Sequence, residues 1–395
     1  MFAERVLHRL VRFGGVEVVL PDGREIAASG HDRPRFRIRF WSWTDLFRLP
    51  FQPTLAFAEA YMAGRLTVEN GSLHELVDFL YANQVDAEAT GPARLLRKII
   101  FPVRRFWQHN TAFRARRNVK HHYDIPGEIY ELFLDSDRQY SCAYFPHEDM
   151  TLDEAQEAKK RRIASKLQLQ EHQQVLDIGS GWGGLALHLA KFHGVAVKGL
   201  TLSSNQFEIA SRRAADDGLS KQVSFELGDY RNESDRFDRI VSVGMFEHVG
   251  LSYYRSFFET IRRCLVDDGI ALLHTIGRSA GPGVTDPFIR RYIFPGGYIP
   301  ALSEVLPVIE RTGLQVTDVE VLRLHYAYTL SHWRQRVLAA RDKVLEIADE
   351  RFLRMWELYL SGSEAAFRHG GMVVFQIQMA KKVDALPLSR NYMSD

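Results

Sequence analysis

The run Val175-Leu-Asp-Ile-Gly-Ser-Gly-Trp-Gly-Gly184 constrains this chain more than any other stretch. Val175, Leu176 and Ile178 are strand formers. Gly179, Gly181, Gly183 and Gly184 follow at once, and Leu185-Ala-Leu-His-Leu-Ala190 then resumes with helical spacing. A buried strand that breaks through such a turn into a helix brings backbone N–H groups to a helix N-terminus, where a ligand can lie against them without meeting Cβ atoms. The pattern predicts a nucleotide-type cofactor.

The segments that follow alternate in period. Strands are expected at 195–201, 223–227, 237–243 and 270–276, with helices over 206–217 and 253–265, the second stopped near Asp267-Asp268-Gly269. This alternation predicts a mostly parallel sheet flanked by helices, with ligands at the carboxyl ends of its strands. Residues 314–324 and 372–379 supply two further strands, and the long helical stretch between them, about 328–360, is read as a cover over the site.

At 395 residues the chain has room for two domains. Residues 1–90 read as a small α+β module. Arg33, Arg35, Arg37 and Arg39 alternate with Phe36, Ile38 and Phe40, the period of a strand with one apolar and one basic face. Short amphipathic helices are expected at 55–62 and 73–80, the second started by Gly71-Ser72. Residues 91–123 hold no acid but nine lysines and arginines interleaved with aromatic and aliphatic residues. Such a stretch suits an anionic membrane surface or a nucleic-acid backbone, and equally a solvated helix face. No recognition motif for nucleic acid accompanies it.

Cys142 and Cys264 cannot make a disulfide framework, so a reduced, cytoplasmic setting is expected. Met1 to Phe13 lacks the continuous apolar core of a signal peptide, and no apolar run is long enough to span a bilayer. Membrane contact, if made, is expected to be peripheral.

Gly179, Gly181 and Gly184 satisfy G-x-G-x-x-G, which admits a dinucleotide oxidoreductase. That family needs an acid near the end of the second strand. Here the strand ends Gly199-Leu-Thr201-Leu-Ser203, with none. Asp177, two residues before the first glycine, gives D-x-G-x-G instead. This is similar to motif I of the class I methyltransferases, which bind S-adenosylmethionine.

Further motifs narrow the resemblance. His121-His-Tyr-Asp-Ile125, Tyr140-Ser-Cys-Ala-Tyr-Phe145, Gly199-Leu-Thr-Leu-Ser203 with Gln206, and Val243-Gly-Met-Phe-Glu-His-Val-Gly250 together resemble the cyclopropane-fatty-acyl-phospholipid synthases, over about 118–381. The resemblance implies a class I methyltransferase (Rossmann-like) doubly wound α/β sheet over 124–395, with a helical insertion over the site. It also implies a lipid-binding or dimerising module at 1–90 and a possible homodimer. The activity implied is methyl transfer from S-adenosylmethionine to a cis double bond of an unsaturated phospholipid acyl chain, at the inner face of the membrane.

An alkene is a poor nucleophile, so such an enzyme must align it with the sulfonium methyl and exclude water. The carbocation that results must lose a proton from the new methyl as the ring closes, which calls for a base beside an apolar pocket. The resemblance implies a bound bicarbonate as that base, cradled by Cys142, Glu247, His274 and Tyr326 with the backbone at Ile276. It also implies Tyr140 and Ser141 at the methionine end of the cofactor, Asp177 near its charged amino-acid group, Gly179 and Gly181 at the turn, Thr201, Leu202 and Gln206 around the ribose, and Asp229 and Tyr230 near the adenine. His248 is assigned a structural role, and no metal is expected.

One position departs from the resembled pattern. Ser363, before Glu-Ala-Ala-Phe-Arg368, stands where the family carries cysteine. Serine is less polarisable and more strongly hydrated, which opens methylene or methyl-branched products beside the cyclopropane. A catalytically inactive lipid-binding protein and a methyltransferase with another acceptor are the competing readings.

Overall fold

The computed structural model describes residues 13–29, 35–83 and 126–393. The basic segment at 91–123, the motif at 121–125, Arg33 and nearly all of 1–13 lie outside the described residues.

From the amino terminus come β1 (Gly15–Val19), β2 (Glu25–Ser29), β3 (Phe36–Phe40), α1 (Trp43–Arg48), α2 (Pro53–Met62), β4 (Leu66–Asn70) and α3 (Leu73–Asn83). The strands lie in the order β2-β1-β3-β4, with β1 parallel to β3 and both outer pairs antiparallel. The alternation in β3 has the expected apolar face: Phe36, Ile38 and Phe40 are buried with Val16, Val18, Leu66 and Leu76. Its arginine face is neutralised by the sheet. Arg37 reaches Glu17 at 2.7 Å, Glu25 at 2.5 Å and Glu69 at 2.9 Å, one carboxylate from each other strand. Such cross-strand pairs favour one register over its slipped alternatives. Ser72 opens α3 as expected, through a reciprocal cap in which its Oγ accepts from Glu75 N–H at 3.1 Å and Glu75 accepts from Ser72 N–H at 3.0 Å.

The later chain contributes α4 (Gly127–Phe133), α5 (Leu152–Leu167), β5 (Gln174–Ile178), α6 (Gly184–His193), β6 (Ala196–Thr201), α7 (Ser204–Asp216), β7 (Val223–Leu227), β8 (Phe237–Val243), α8 (Tyr254–Cys264), β9 (Leu265–Arg278), α9 (Leu302–Thr312), β10 (Gln315–Leu322), α10 (His325–Ala339), α11 (Arg341–Ile347), α12 (Glu350–His369) and β11 (Met372–Ala380). Its seven strands run β10-β11-β9-β8-β5-β6-β7. From β7 to β9 every pairing is parallel, and β11 is antiparallel to both neighbours. The expected α/β sheet is thus present, with a switch in strand order between β5 and β8. Strand β9 starts earlier than expected. Leu265 is fully buried opposite Phe237, so the helix ends at Cys264 and the chain is extended through Asp267-Asp268-Gly269.

The domain boundaries read from sequence also change. Met1–Arg104 groups with Val284–Phe294 and Leu330–Gly371, while Arg105–Gly283, Pro295–Thr329 and Met372–Asp395 form the second unit. The helical stretch expected as a cover over the site therefore packs with the amino-terminal helices. The reason lies in α12, which continues past Leu360 to His369 and carries the partners of the amino-terminal helices. Tyr61 donates to Glu357 at 2.9 Å, and the buried Glu364 accepts from Arg334 at 3.2 Å and Arg368 at 2.9 Å, with His74 at 3.8 Å. A buried carboxylate is tolerated only with such partners. Replacing Glu364 with leucine strands those cations, and should lower unfolding stability by about 3 kcal/mol; an unshifted urea midpoint would show that the cluster contributes nothing.

Candidate active site

The glycine turn leaves the carboxyl end of β5 with positive φ at Gly179 (+87°), Gly181 (+56°) and Gly183 (+85°). A Cβ at Gly179 would stand 2.7 Å from the Cβ of Met245, and one at Gly183 2.6 Å from the Phe225 ring. The amides of Gly179 and Ser180 both donate to Leu200 O at 2.9 Å, fastening the turn to β6. Those two amides are therefore spent within the fold, and what the glycines give the cleft is space.

All ten residues expected at the cofactor line one cleft at the ends of β5, β6 and β8: Tyr140, Ser141, Asp177, Gly179, Gly181, Thr201, Leu202, Gln206, Asp229 and Tyr230. Thr201 does more than stand in for an acid. Its hydroxyl donates to Gln206 Oε1 at 2.8 Å and accepts from Ser203 N–H at 3.2 Å, which shapes the turn into α7. Both carboxylate oxygens of Asp229 are held by Arg231, at 2.8 Å and 2.6 Å, and that guanidinium lies over the rings of Tyr230 and Tyr253. Asp177 is buried with Oδ2 unpaired. Burial raises its pKa to about 7, and the Lys159 charge opposes that rise.

Sequence reasoning missed several residues here. Arg231, Trp182 and Met245 line the cleft. His248 lines it too, where a purely structural role was expected, and burial lowers its pKa to about 4, so the imidazole is neutral. Behind the cleft, α5 turns polar side chains inward. Gln156 donates to the carbonyls of Gln139 (3.2 Å) and Ser141 (2.9 Å), and Lys159 donates to Gln139 Oε1 (2.6 Å) and Ser141 Oγ (2.9 Å). The spacing carried a signal for this. Leu152, Gln156, Lys159, Ile163 and Lys166 fall on one stripe of the helix, and all five are buried.

None of the four expected catalytic residues lines that cleft; all four are buried. Glu247 follows β8, and its Oε1 accepts from Ile276 N–H at 2.6 Å while Oε2 is buried without a partner. Burial raises the pKa of this carboxyl. His274 is on β9, with Nδ1 3.1 Å from Gln376 Nε2. With that amide donating, the ring is the Nε2–H tautomer. Burial, seconded by the charges of Lys159 and Lys166, lowers its pKa to about 3, which keeps the ring neutral. Burial likewise pushes the Cys142 thiol up, so it stays protonated. The next residue, Ala143, donates its N–H to Thr329 Oγ1 at 3.0 Å, one turn beyond Tyr326 on α10. A Cβ at Gly244 would lie 3.9 Å from that of Ser141, so the 141–142 segment runs against the end of β8. Among the described residues there is no cluster suited to a metal.

Residues 110–377 match the mycolic acid cyclopropane synthetase family, and residues 2–88 match a domain of unknown function. The chain belongs to that synthetase family. It is 41% identical over 265 residues to the cyclopropane-fatty-acyl-phospholipid synthase of Escherichia coli strain K12, covering 67% of this chain and 68% of that one. It is 34% identical over 400 residues to the tuberculostearic acid methyltransferase UfaA1 of Mycobacterium tuberculosis, covering 95% and 90%. A solved structure of the mycolic acid cyclopropane synthase CmaA1 complexed with SAH and CTAB superposes with a TM-score of 0.64 at 35% identity, over 67% of this chain and 97% of that one. This synthase is thus an S-adenosylmethionine-dependent methyltransferase acting on lipids. The residues present fit that cofactor: the unpaired Asp177 oxygen would pair with an ammonium, and the Tyr230 ring would lie beside adenine.

Asp177 gives the fit a pH dependence. Its raised value makes ionisation costly in the free protein, and a bound ammonium offsets that cost with release of a proton. Affinity for S-adenosylhomocysteine should therefore rise about tenfold from about pH 5.5 to about pH 7. The groups at His248 and His274 titrate below that window. Calorimetric titration checks the slope, which Asp177→Asn should flatten; an equal slope in the variant would dismiss Asp177.

Proposed function

We propose that this synthase transfers a methyl group to a cis double bond in an acyl chain of an unsaturated phospholipid and closes a cyclopropane, with Glu247 holding the group that takes the proton. S-Adenosylmethionine supplies an electrophilic methyl on a sulfonium sulfur. The alkene π electrons form the new bond to that methyl as its bond to sulfur breaks, which leaves a cation in the acyl chain. Loss of a proton from the added methyl then closes the ring.

The observation that carries the proposal is the buried Glu247 carboxyl. One oxygen is tied to a backbone N–H, and the other is unpaired in an interior that favours the protonated form. A protonated carboxyl can donate a hydrogen bond, and so can the neutral His274 Nε2–H and the Tyr326 hydroxyl, whereas the Cys142 thiol donates to Ala143 O at 3.2 Å. Neutral donors of this kind suit a small oxyanion such as bicarbonate, which would supply a proton acceptor beside an apolar chain.

A second reading is favoured by one finding. The relative aligned over 95% of the chain is named a tuberculostearic acid methyltransferase, and Ser363 departs from the family cysteine. In that reading the cation is resolved to a methylene or methyl-branched chain.

The acyl chain lies in a bilayer, and among the described residues no helix is long and apolar enough to cross one. The amino-terminal unit offers a surface of the right composition. Trp41, Trp43, Phe47 and Phe51 are 59%, 40%, 71% and 62% exposed, and the Trp43 and Phe47 rings are 6.3 Å apart. The one acid between residues 41 and 52, Asp45, is buried against Arg65 at 2.7 Å. Aromatic side chains without exposed carboxylates belong at a headgroup interface.

Labelled S-adenosylmethionine and vesicles of unsaturated phosphatidylglycerol and phosphatidylethanolamine test the activity. Label should enter the acyl chains, and mass spectrometry should find the cyclopropane; label confined to water-soluble products would sink the proposal. Glu247→Gln should lose about a thousandfold in turnover while binding S-adenosylhomocysteine normally. For the surface, Phe47→Ser with Phe51→Ser should weaken vesicle sedimentation at least about tenfold. Undiminished sedimentation with lost self-association would assign the patch to a second copy of the chain instead.

A further inference from the structure

Lys159 is fully buried, does not line the cleft, and plays no part in the chemistry above. Its position is nonetheless tightly determined. The ammonium donates to Gln139 Oε1 at 2.6 Å and Ser141 Oγ at 2.9 Å. One turn earlier, Gln156 grips the carbonyls of the same two residues. Gln139 is itself fixed, because its N–H donates to Asp135 at 2.8 Å and its side-chain amide to Asp137 at 3.0 Å. Two residues of α5 thus clamp the segment that carries Tyr140 and Ser141 into the cleft.

The direction of the Lys159–Ser141 bond matters more than its length. An ammonium can only donate, so Ser141 Oγ must accept. The hydroxyl proton of Ser141 is then left to be given elsewhere, and among the described residues no side chain or carbonyl takes it. Ser141 lines the cleft, so that proton is available there. A hydroxyl that accepts from a cation is also a stronger donor, since hydrogen bonds in a chain polarise one another.

We propose that Lys159 is a positioning residue that turns Ser141 into a hydroxyl donor aimed at an oxyanion in the cleft. The proposal rests on the reading that this cleft takes S-adenosylmethionine. Two oxyanions share the required chemistry: the carboxylate of the cofactor's methionine end and a bicarbonate bound next to Cys142. Burial lowers the Lys159 pKa to about 8, still high enough for the side chain to be a cation at neutral pH, and the carboxylates of Asp135 and Asp137 help to hold that charge. The surrounding structure therefore maintains the donor that the relay needs.

Calorimetric titration of the full chain with S-adenosylhomocysteine, and with 5′-methylthioadenosine, which lacks the amino-acid end, tests this directly. Lys159→Met should weaken S-adenosylhomocysteine binding about ten- to a hundredfold and leave 5′-methylthioadenosine within about twofold. Ser141→Ala should do the same. The double variant should be no weaker than the worse single one, because the lysine acts through the serine. Lys159→Arg, which keeps a cationic donor, should recover part of the loss. Running each titration with and without added bicarbonate separates the two sources: a loss that needs bicarbonate assigns the oxyanion to it, and a loss in both buffers assigns it to the methionine carboxylate. Equal weakening of both ligands without added bicarbonate, or losses that multiply in the double variant, would overturn the proposal in favour of general damage to the fold. Should Lys159→Met fail to fold, a Ser141→Ala protein that binds S-adenosylhomocysteine normally in both buffers overturns it equally. A wild-type chain that binds neither ligand would count against the cofactor reading instead.

Discussion

Strand β5 is hydrogen-bonded in parallel to β6 on one side and to β8 on the other, and the rest of the second unit is arranged around its carboxyl end. The chain leaves toward β6 in one direction and returns through β8 in the other, so a crevice opens where the connections diverge. Asp177 sits in that strand opposite Gly199 and Val241, with no free edge to bring it water. Its unpaired oxygen is a direct result of being central. A group that would be unremarkable on a surface carries, in this place, a desolvation cost that a bound cation would offset.

The interior of this protein carries more polar cost than its sheet alone requires. Helix α5 turns Gln156, Lys159 and Lys166 inward. Lys166 meets Glu320 on β10 at 2.5 Å, and Arg162 holds the same carboxylate at 2.8 Å. Replacing such groups with packed apolar residues is often stabilising, so stability alone does not account for them. Their common effect is orientation: each fixes a segment or strand whose position packing would leave less defined. The neutral state of His274 and the protonated state of Cys142 follow from the same dry surroundings.

Much of the fold was legible because its signals are local. The glycine turn, the alternating periods of β5 to β8 and the Ser72 cap each depend on a few neighbouring residues, and each appears where it was expected. The cleft residues were legible through motifs. What could not be read depended on partners distant in the chain. The extension of β9 back to Leu265 depends on Phe237, and the grouping of α12 with the amino-terminal helices depends on Glu364 meeting Arg334 and His74. Arg37 looked like half of a basic face because its three carboxylates lie on three other strands. The buried stripe on α5 lay between these cases. Its spacing is visible in the sequence, but what lysine and glutamine do at its inward positions is set by the distant Gln139–Ser141 segment.

Ser363 and Glu364 are adjacent on α12, and this adjacency bears on how the protein can change. Glu364 anchors the guanidinium groups of Arg334 and Arg368 within the amino-terminal unit, with His74 beside it, whereas Ser363 is half-buried one residue away and departs from the cysteine of the resembled pattern. Consecutive residues of a helix do not face each other, so a change at 363 leaves the neighbouring carboxylate in place, and serine and cysteine differ by little in volume. Exchange between the two residues is a small step that leaves untouched the ion cluster holding these helices together. Side-chain chemistry at this turn can therefore vary while the anchor beside it stays fixed.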